Sequence, residues 1–199
     1  MEIILRLMGV VSGLKGVPRV GFNLKFPPDS EFSSRKVENA ESVADHSYGL
    51  VMLAFVMAEM LGVERERFVL MALVHDLPEE RVGDIVVHYE QDPVRKKALV
   101  AQKRAEEEHA MAQIAVELGV FGERLQRLWE EYQANETREA QLLRELDKLE
   151  FLLQTIEYAR SGEIIAPLEI APNIRKHLRH PLIIELFEAA VAGLDAVDE

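Results

Sequence analysis

ERFVLMALVHDLPEERVGDI, residues 66–85, is the stretch on which the fold turns. Its first half reads as a buried helix over 66–76, with Phe68, Met71 and His75 three and four residues apart on one face. That helix ends on an imidazole beside a carboxylate, His75 and Asp76. Pro78 follows at once; proline does not continue a helix comfortably but suits the first turn of a new one. The stretch therefore predicts two helices meeting at a bend, with His75 and Asp76 at the join.

Working outward, helical spacing persists. ESVADHSYGLVMLAFVMAEMLG (residues 41–62) predicts a long, mostly buried helix, with Ser42 as N-cap and Gly62 as its stop. Residues 1–12 can form an amphipathic helix. Residues 13–40 are irregular, carrying Gly13, Gly16, Pro18, Gly21, Pro27 and Pro28. A loop of that length inside a compact domain is often functional. Further helices are predicted over 92–119, where Pro93 sits near the start, and over 122–135, 136–162 and 180–193. No clear alternating strand pattern occurs, and no repeat or linker divides the chain. The expectation is one all-α domain over 1–199 with seven or eight helices, its core at about 10–155 and the C-terminal helices completing it.

Composition narrows the chemistry. The chain has 199 residues, 48% hydrophobic and 29% charged, with a formal net charge of -12. An acidic surface repels polyanions, and the basic clusters at 95–97 and 175–180 are short, so nucleic-acid binding is not expected. There is no cysteine, so any metal must be held by His, Asp and Glu. No apolar run approaches the roughly 20 residues of a membrane span. The first residues carry Glu2 and Arg6 within their apolar run, unlike a signal peptide, and a cytoplasmic location is expected.

Polar groups interrupt three apolar faces. His46 follows Val43 by three and precedes Leu50 by four; His75 follows Met71 by four; Asp147 follows Leu143 by four. A lone inward histidine usually bonds a backbone carbonyl, and a lone inward aspartate usually caps or pairs. Burying a carboxylate is costly unless it is paired or binds a metal. Spacing alone leaves both readings open: separate satisfied core residues, or one convergent set of two imidazoles and two carboxylates that suits a divalent cation.

The order His46, His75–Asp76, Asp147 resembles the H…HD…D signature of the HD-domain metal-dependent phosphohydrolases. ESVADHSYGL, ALVHDLPEERVGDI and LDKLE are similar to the branch that holds the 5'-deoxynucleotidases and the oxetanocin-type enzymes. PRVGF (residues 18–22) resembles an element of that branch that usually ends in tryptophan, and the likeness spans roughly residues 10–155. It implies an all-α fold and one divalent transition metal per subunit, commonly manganese or cobalt, held by His46, His75, Asp76 and Asp147. It also implies Glu79 as acid/base, Asp84 as an orienting group, and substrate contacts from Arg19, Phe22 and Arg35. Phe22 stands where tryptophan is expected, which weakens the case for strict deoxyribose selectivity. The implied reaction is hydrolysis of (deoxy)nucleoside 5'-monophosphates by a homodimer. Hydrolysis of nucleoside di- or triphosphates, cyclic nucleotides or alarmones is the alternative, and a non-catalytic helical module is a third reading.

Overall fold

The computed structural model describes residues 1–23, 37–87, 90 and 92–195. Its described residues form nine helical segments: α1 (Glu2–Leu14), α2 (Val20–Asn23), α3 (Val43–Leu61), α4 (Arg65–Val74), α5 (Glu79–Val82), α6 (Pro93–Ala134), α7 (Arg138–Arg160), α8 (Pro167–Arg175) and α9 (Pro181–Asp195). No strand occurs among them, and the one isolated β-bridge joins Pro18 to Ser42. The all-α reading of the sequence holds. Arg35 and His88 lie outside the described residues.

The helices start where local chemistry dictates. Ser42 caps α3 by accepting from the Asp45 N–H at 3.2 Å, while the Asp45 carboxylate accepts from the Ser42 N–H at 2.9 Å. This reciprocal box fixes the frame of α3. Gly62 ends it in the left-handed region, at φ 66°. Asp92 caps α6 and Pro93 occupies its first turn.

Among the described residues two apolar clusters form the interior. α3, α4 and α7 build the larger one around Leu50, Leu61, Phe68, Met71, Leu143, Leu146 and Leu149, all essentially inaccessible. Burying each such side chain contributes about 1.5–3 kcal/mol. α1 and α6 build the second around Val10, Leu14, Met111, Ile114, Leu118 and Trp129. α4 serves both: Phe68 and Met71 enter the first, and Val74, followed by Leu77 beyond the helix, enters the second. The end of α4 is thereby clamped from two sides, and that is where His75 and Asp76 lie.

The stretches predicted as separate helices, 92–119 and 122–135, are the two limbs of α6, divided by a kink at Gly119, whose φ 57° and ψ -138° suit only glycine. The bend lays Gly122 against the Ala115 backbone. The elements differ from the sequence reading in two other places. Within the irregular stretch, Val20–Asn23 forms the short α2. Between the helices predicted over 136–162 and 180–193 the structure adds α8, with Pro172 inside it.

Candidate active site

His46 and His75 come from different helices and face each other at the junction of α3, α4 and α7. His46 lies on the first turns of α3 and His75 is the C-cap of α4. Both are buried, and their Nε2 atoms stand 3.2 Å apart. Asp147 on α7 reaches His46 Nε2 with Oδ1 at 3.3 Å. Asp76 places Oδ2 3.0 Å from His75 Nε2 and 3.7 Å from His46 Nε2. The structure thus brings together the four residues that the sequence pointed to. Among the described residues, His46, His75 and Asp147 offer ligand atoms all within 4.8 Å of one another, a candidate metal site, and Glu41, His46 and Glu150 form a second such group behind it.

The outer nitrogens fix the tautomers. The His75 Nδ1–H donates to the Ala72 carbonyl at 2.7 Å. The His46 Nδ1–H donates to Glu150 Oε2 at 2.6 Å. Both partners can only accept, so in the neutral rings each Nε2 is a bare lone pair. Two lone pairs 3.2 Å apart repel unless a positive charge lies between them. Burial disfavours charge on His46, but hydrogen bonds to Asp147 and Glu150 outweigh it and push its pKa up to about 10. A proton there answers a need that a cation meets equally well. Nitrogen and carboxylate donors without sulfur suit a borderline divalent ion. For both aspartates burial opposes the charge. His75, His46 and Arg19 nevertheless hold Asp76 below the ordinary carboxylate range. Lys148 and His46 do the same for Asp147.

Glu79 is 2% exposed at the start of α5, and its Oε2 has no partner. Burial, then Asp76 and Asp84, push its pKa up to about 9, against the pull of Lys103 and Arg19. Lys103 crosses from α6 to stand 3.4 Å from Glu79 Oε1 and donates to the Ile85 carbonyl at 2.9 Å. Lys103 is absent from the sequence candidates, because no local pattern shows that α6 leans over α5.

Arg19 is largely buried among carboxylates, 3.6 Å from Asp76, 3.8 Å from Glu41 and 4.0 Å from Asp84. Its backbone N–H donates to the Glu41 carbonyl at 2.9 Å, beside the Pro18–Ser42 bridge. Asp84 accepts from the Val20 N–H at 2.8 Å, tying the same segment from the other side. Phe22 is buried, stacked on Phe151 with ring centroids 4.6 Å apart and edge-on to Tyr158. Sequence reading gave no role to Glu41 or to Tyr132, whose ring lies 5.5 Å from that of His75. Glu41 is pushed up to about 7 by burial and by Glu150.

Comparison with known proteins gives consistent likenesses. The HD-domain family profile matches residues 23–181. The protein named 5'-deoxynucleotidase HDDC2 from Danio rerio is 37% identical over 194 residues, covering 95% of this chain and 86% of that protein. Its Homo sapiens namesake is 35% identical over 156 residues, covering 78% and 68%. Among solved structures, the PH0347 protein from Pyrococcus horikoshii OT3 aligns with a TM-score of 0.67 at 29% identity, covering 94% of this chain and 97% of that one. A conserved hypothetical protein from Pyrococcus furiosus aligns at 0.65 and 30% identity, covering 94% and 99%.

Proposed function

The chain belongs to the HD-domain family, and on that premise we propose that it is a metal-dependent phosphomonoesterase that hydrolyses (deoxy)nucleoside 5'-monophosphates to nucleoside and phosphate. The observation that carries the reading is the pair of imidazole Nε2 atoms 3.2 Å apart, flanked by the Asp76 and Asp147 carboxylates. His46, His75, Asp76 and Asp147 would hold one divalent transition ion, manganese or cobalt. Such an ion supplies Lewis-acid polarisation and a water of lowered pKa. The names of the HDDC2 relatives supply the substrate class.

The chain's own residues divide the remaining work. Glu79, held protonated by its surroundings, donates its proton to the 5'-oxygen as the bond to phosphorus breaks. Lys103 stands ready to compensate the carboxylate left behind. Arg19 faces the site with a permanent charge and binds phosphate. Asp84 orients that arginine by anchoring its segment. Phe22, packed against Phe151, is kept as a substrate contact and stands where the branch usually has tryptophan, so turnover of both sugars is expected. Arg35 is retained as a further substrate contact.

Residues 1–199 act as one domain in this reading, as a homodimer in the cytoplasm. Tyr48, Met52, Phe55, Val56 and Met60 form a stripe on the outward face of α3, each 45–69% exposed, which supports self-association. Among the described residues no helix is long and apolar enough to cross a membrane.

A phosphate-release panel tests the activity. Purified protein with manganese or cobalt is offered ribo- and deoxynucleoside mono-, di- and triphosphates, and phosphate and pyrophosphate are measured separately. Phosphate from monophosphates, lost in His75→Ala, is the expected result. Release of pyrophosphate alone, or full activity in His75→Ala, overturns the proposal.

A further inference from the structure

We propose that Glu150 is a positioning residue for the metal centre: it fixes the tautomer, orientation and basicity of His46, and Gly49 keeps open the space in which it does so. This rests on the reading of His46 as a metal ligand. It adds a residue that the H…HD…D pattern does not contain.

Glu150 lies on α7 three residues beyond Asp147, so one helix would present a ligand and the support of another ligand about one turn apart. Its side chain is 8% exposed, and that of His46 is fully buried. The 2.6 Å contact from His46 Nδ1 is therefore a charge-assisted hydrogen bond shielded from water. A carboxylate cannot donate, so the ring proton is pinned on Nδ1 and Nε2 is left free to bind. The negative charge behind the ring also makes Nε2 a stronger donor to a cation. Histidine ligands commonly depend on such an outer carboxylate. His75 is held differently, by the Ala72 carbonyl. The two ligands thus differ in support, and only His46 has a charged one.

The space for this contact comes from α3. A Cβ placed on Gly49 would fall 2.6 Å from Glu150 Oε1, and the next nearest atoms are also those of Glu150. A glycine in mid-helix costs stability relative to alanine. Here it makes room for one carboxylate. Glu41 borders the same place: one of its oxygens lies within 4.8 Å of both His46 and Glu150 ligand atoms, and its Oε1 stands 3.8 Å from Arg19 Nε. Glu150 is thereby confined to His46 from two sides.

Cobalt(II) is the probe, titrated into metal-free protein and followed by its visible absorption and by calorimetry. Wild type is expected to bind one equivalent, and His46→Ala to lose it. Glu150→Gln keeps an acceptor but not the charge, and cobalt affinity is expected to fall about 10-fold. Glu150→Ala is expected to fall further, to about 100-fold. Gly49→Ala leaves Glu150 in the sequence but displaces it. Its affinity is expected to fall at least several-fold, with an altered cobalt spectrum, while its metal-free helical circular dichroism stays that of wild type. That last pairing is what a purely structural role cannot produce. Wild-type cobalt affinity and spectrum in both Glu150→Gln and Gly49→Ala overturn the role of Glu150 and leave the metal site standing. Absence of cobalt binding by wild type overturns the metal site itself, and this proposal with it.

Discussion

Glu79 concentrates the chemistry of single residues in this site. Its carboxyl is buried, has one unpartnered oxygen and faces two aspartates, so it keeps its proton well above the ordinary 4.5, up to about 9. The linked effect on stability has a definite sign. A folded-state pKa raised above the unfolded value contributes stability that is complete below about 4.5 and is lost as pH rises through about 9. Glu79→Gln cannot ionise and escapes that loss. In the presence of chelator, the variant is expected to melt higher than wild type, by a margin that grows from pH 5 to pH 9 in paired thermal scans. The same variant should lose roughly 10²–10⁴-fold in kcat, the usual worth of a general acid, while still binding metal. Activity unchanged in Glu79→Gln would remove it from the mechanism. Lys103 lowers the Glu79 pKa, so Lys103→Met is expected to move the alkaline limb of the wild-type pH–rate profile to higher pH.

At the scale of elements, α6 is the least straightforward helix. It kinks at Gly119, where a side chain is strained whatever the space around it. Gly119→Ala is expected to cost about 1–3 kcal/mol in urea denaturation. Gly122→Ala should be at least as harmful, because its Cβ would run into Ala115 backbone rather than a side-chain tip. Gly9 on α1 is the control: its Cβ would meet nothing within 4 Å, so Gly9→Ala is expected to stabilise by about 0.5–1 kcal/mol. Equal effects at the three positions would mean that the bend in α6 is not a fixed part of the fold. The bend shapes the candidate site, because the first limb of α6 carries Lys103 to Glu79 and the second carries Tyr132 to His75.

For the whole molecule, a cation that binds only the folded chain raises its stability by mass action. At 100 times its Kd the gain is about 2.7 kcal/mol, visible as a higher Tm. Adding manganese or cobalt is expected to produce that shift in wild type and not in His75→Ala. The exposed stripe on α3 makes a second prediction, of assembly. α3 packs inward through Leu50, Ala54, Met57 and Leu61, leaving Met52 and Phe55 to solvent. Met52→Glu with Phe55→Glu is expected to halve the sedimentation mass and leave the helical circular dichroism unchanged. A monomeric wild type would end the homodimer reading.

Sequence alone determined the helical class, because apolar residues recur at three and four along most of the chain. It also marked His46, His75 and Asp147, because each sets an ionisable group against an apolar face, where a charge needs a reason, and Asp76 because it adjoins His75. Local chemistry was enough for the ends of α3 too, since Ser42, Asp45 and Gly62 act within their own turns. What it could not supply was any contact between elements. Lys103 meets Glu79 only because α6 passes over α5. The helices predicted from spacing leave out α8, whose buried Ile170 and Ile174 are held by packing rather than by propensity. The pairing of Glu150 with His46 joins residues 104 apart in sequence. Spacing along one helix shows that a group faces inward, but the group it meets there is set by how separate helices pack. The choice between isolated core residues and one convergent site was therefore left to the tertiary structure.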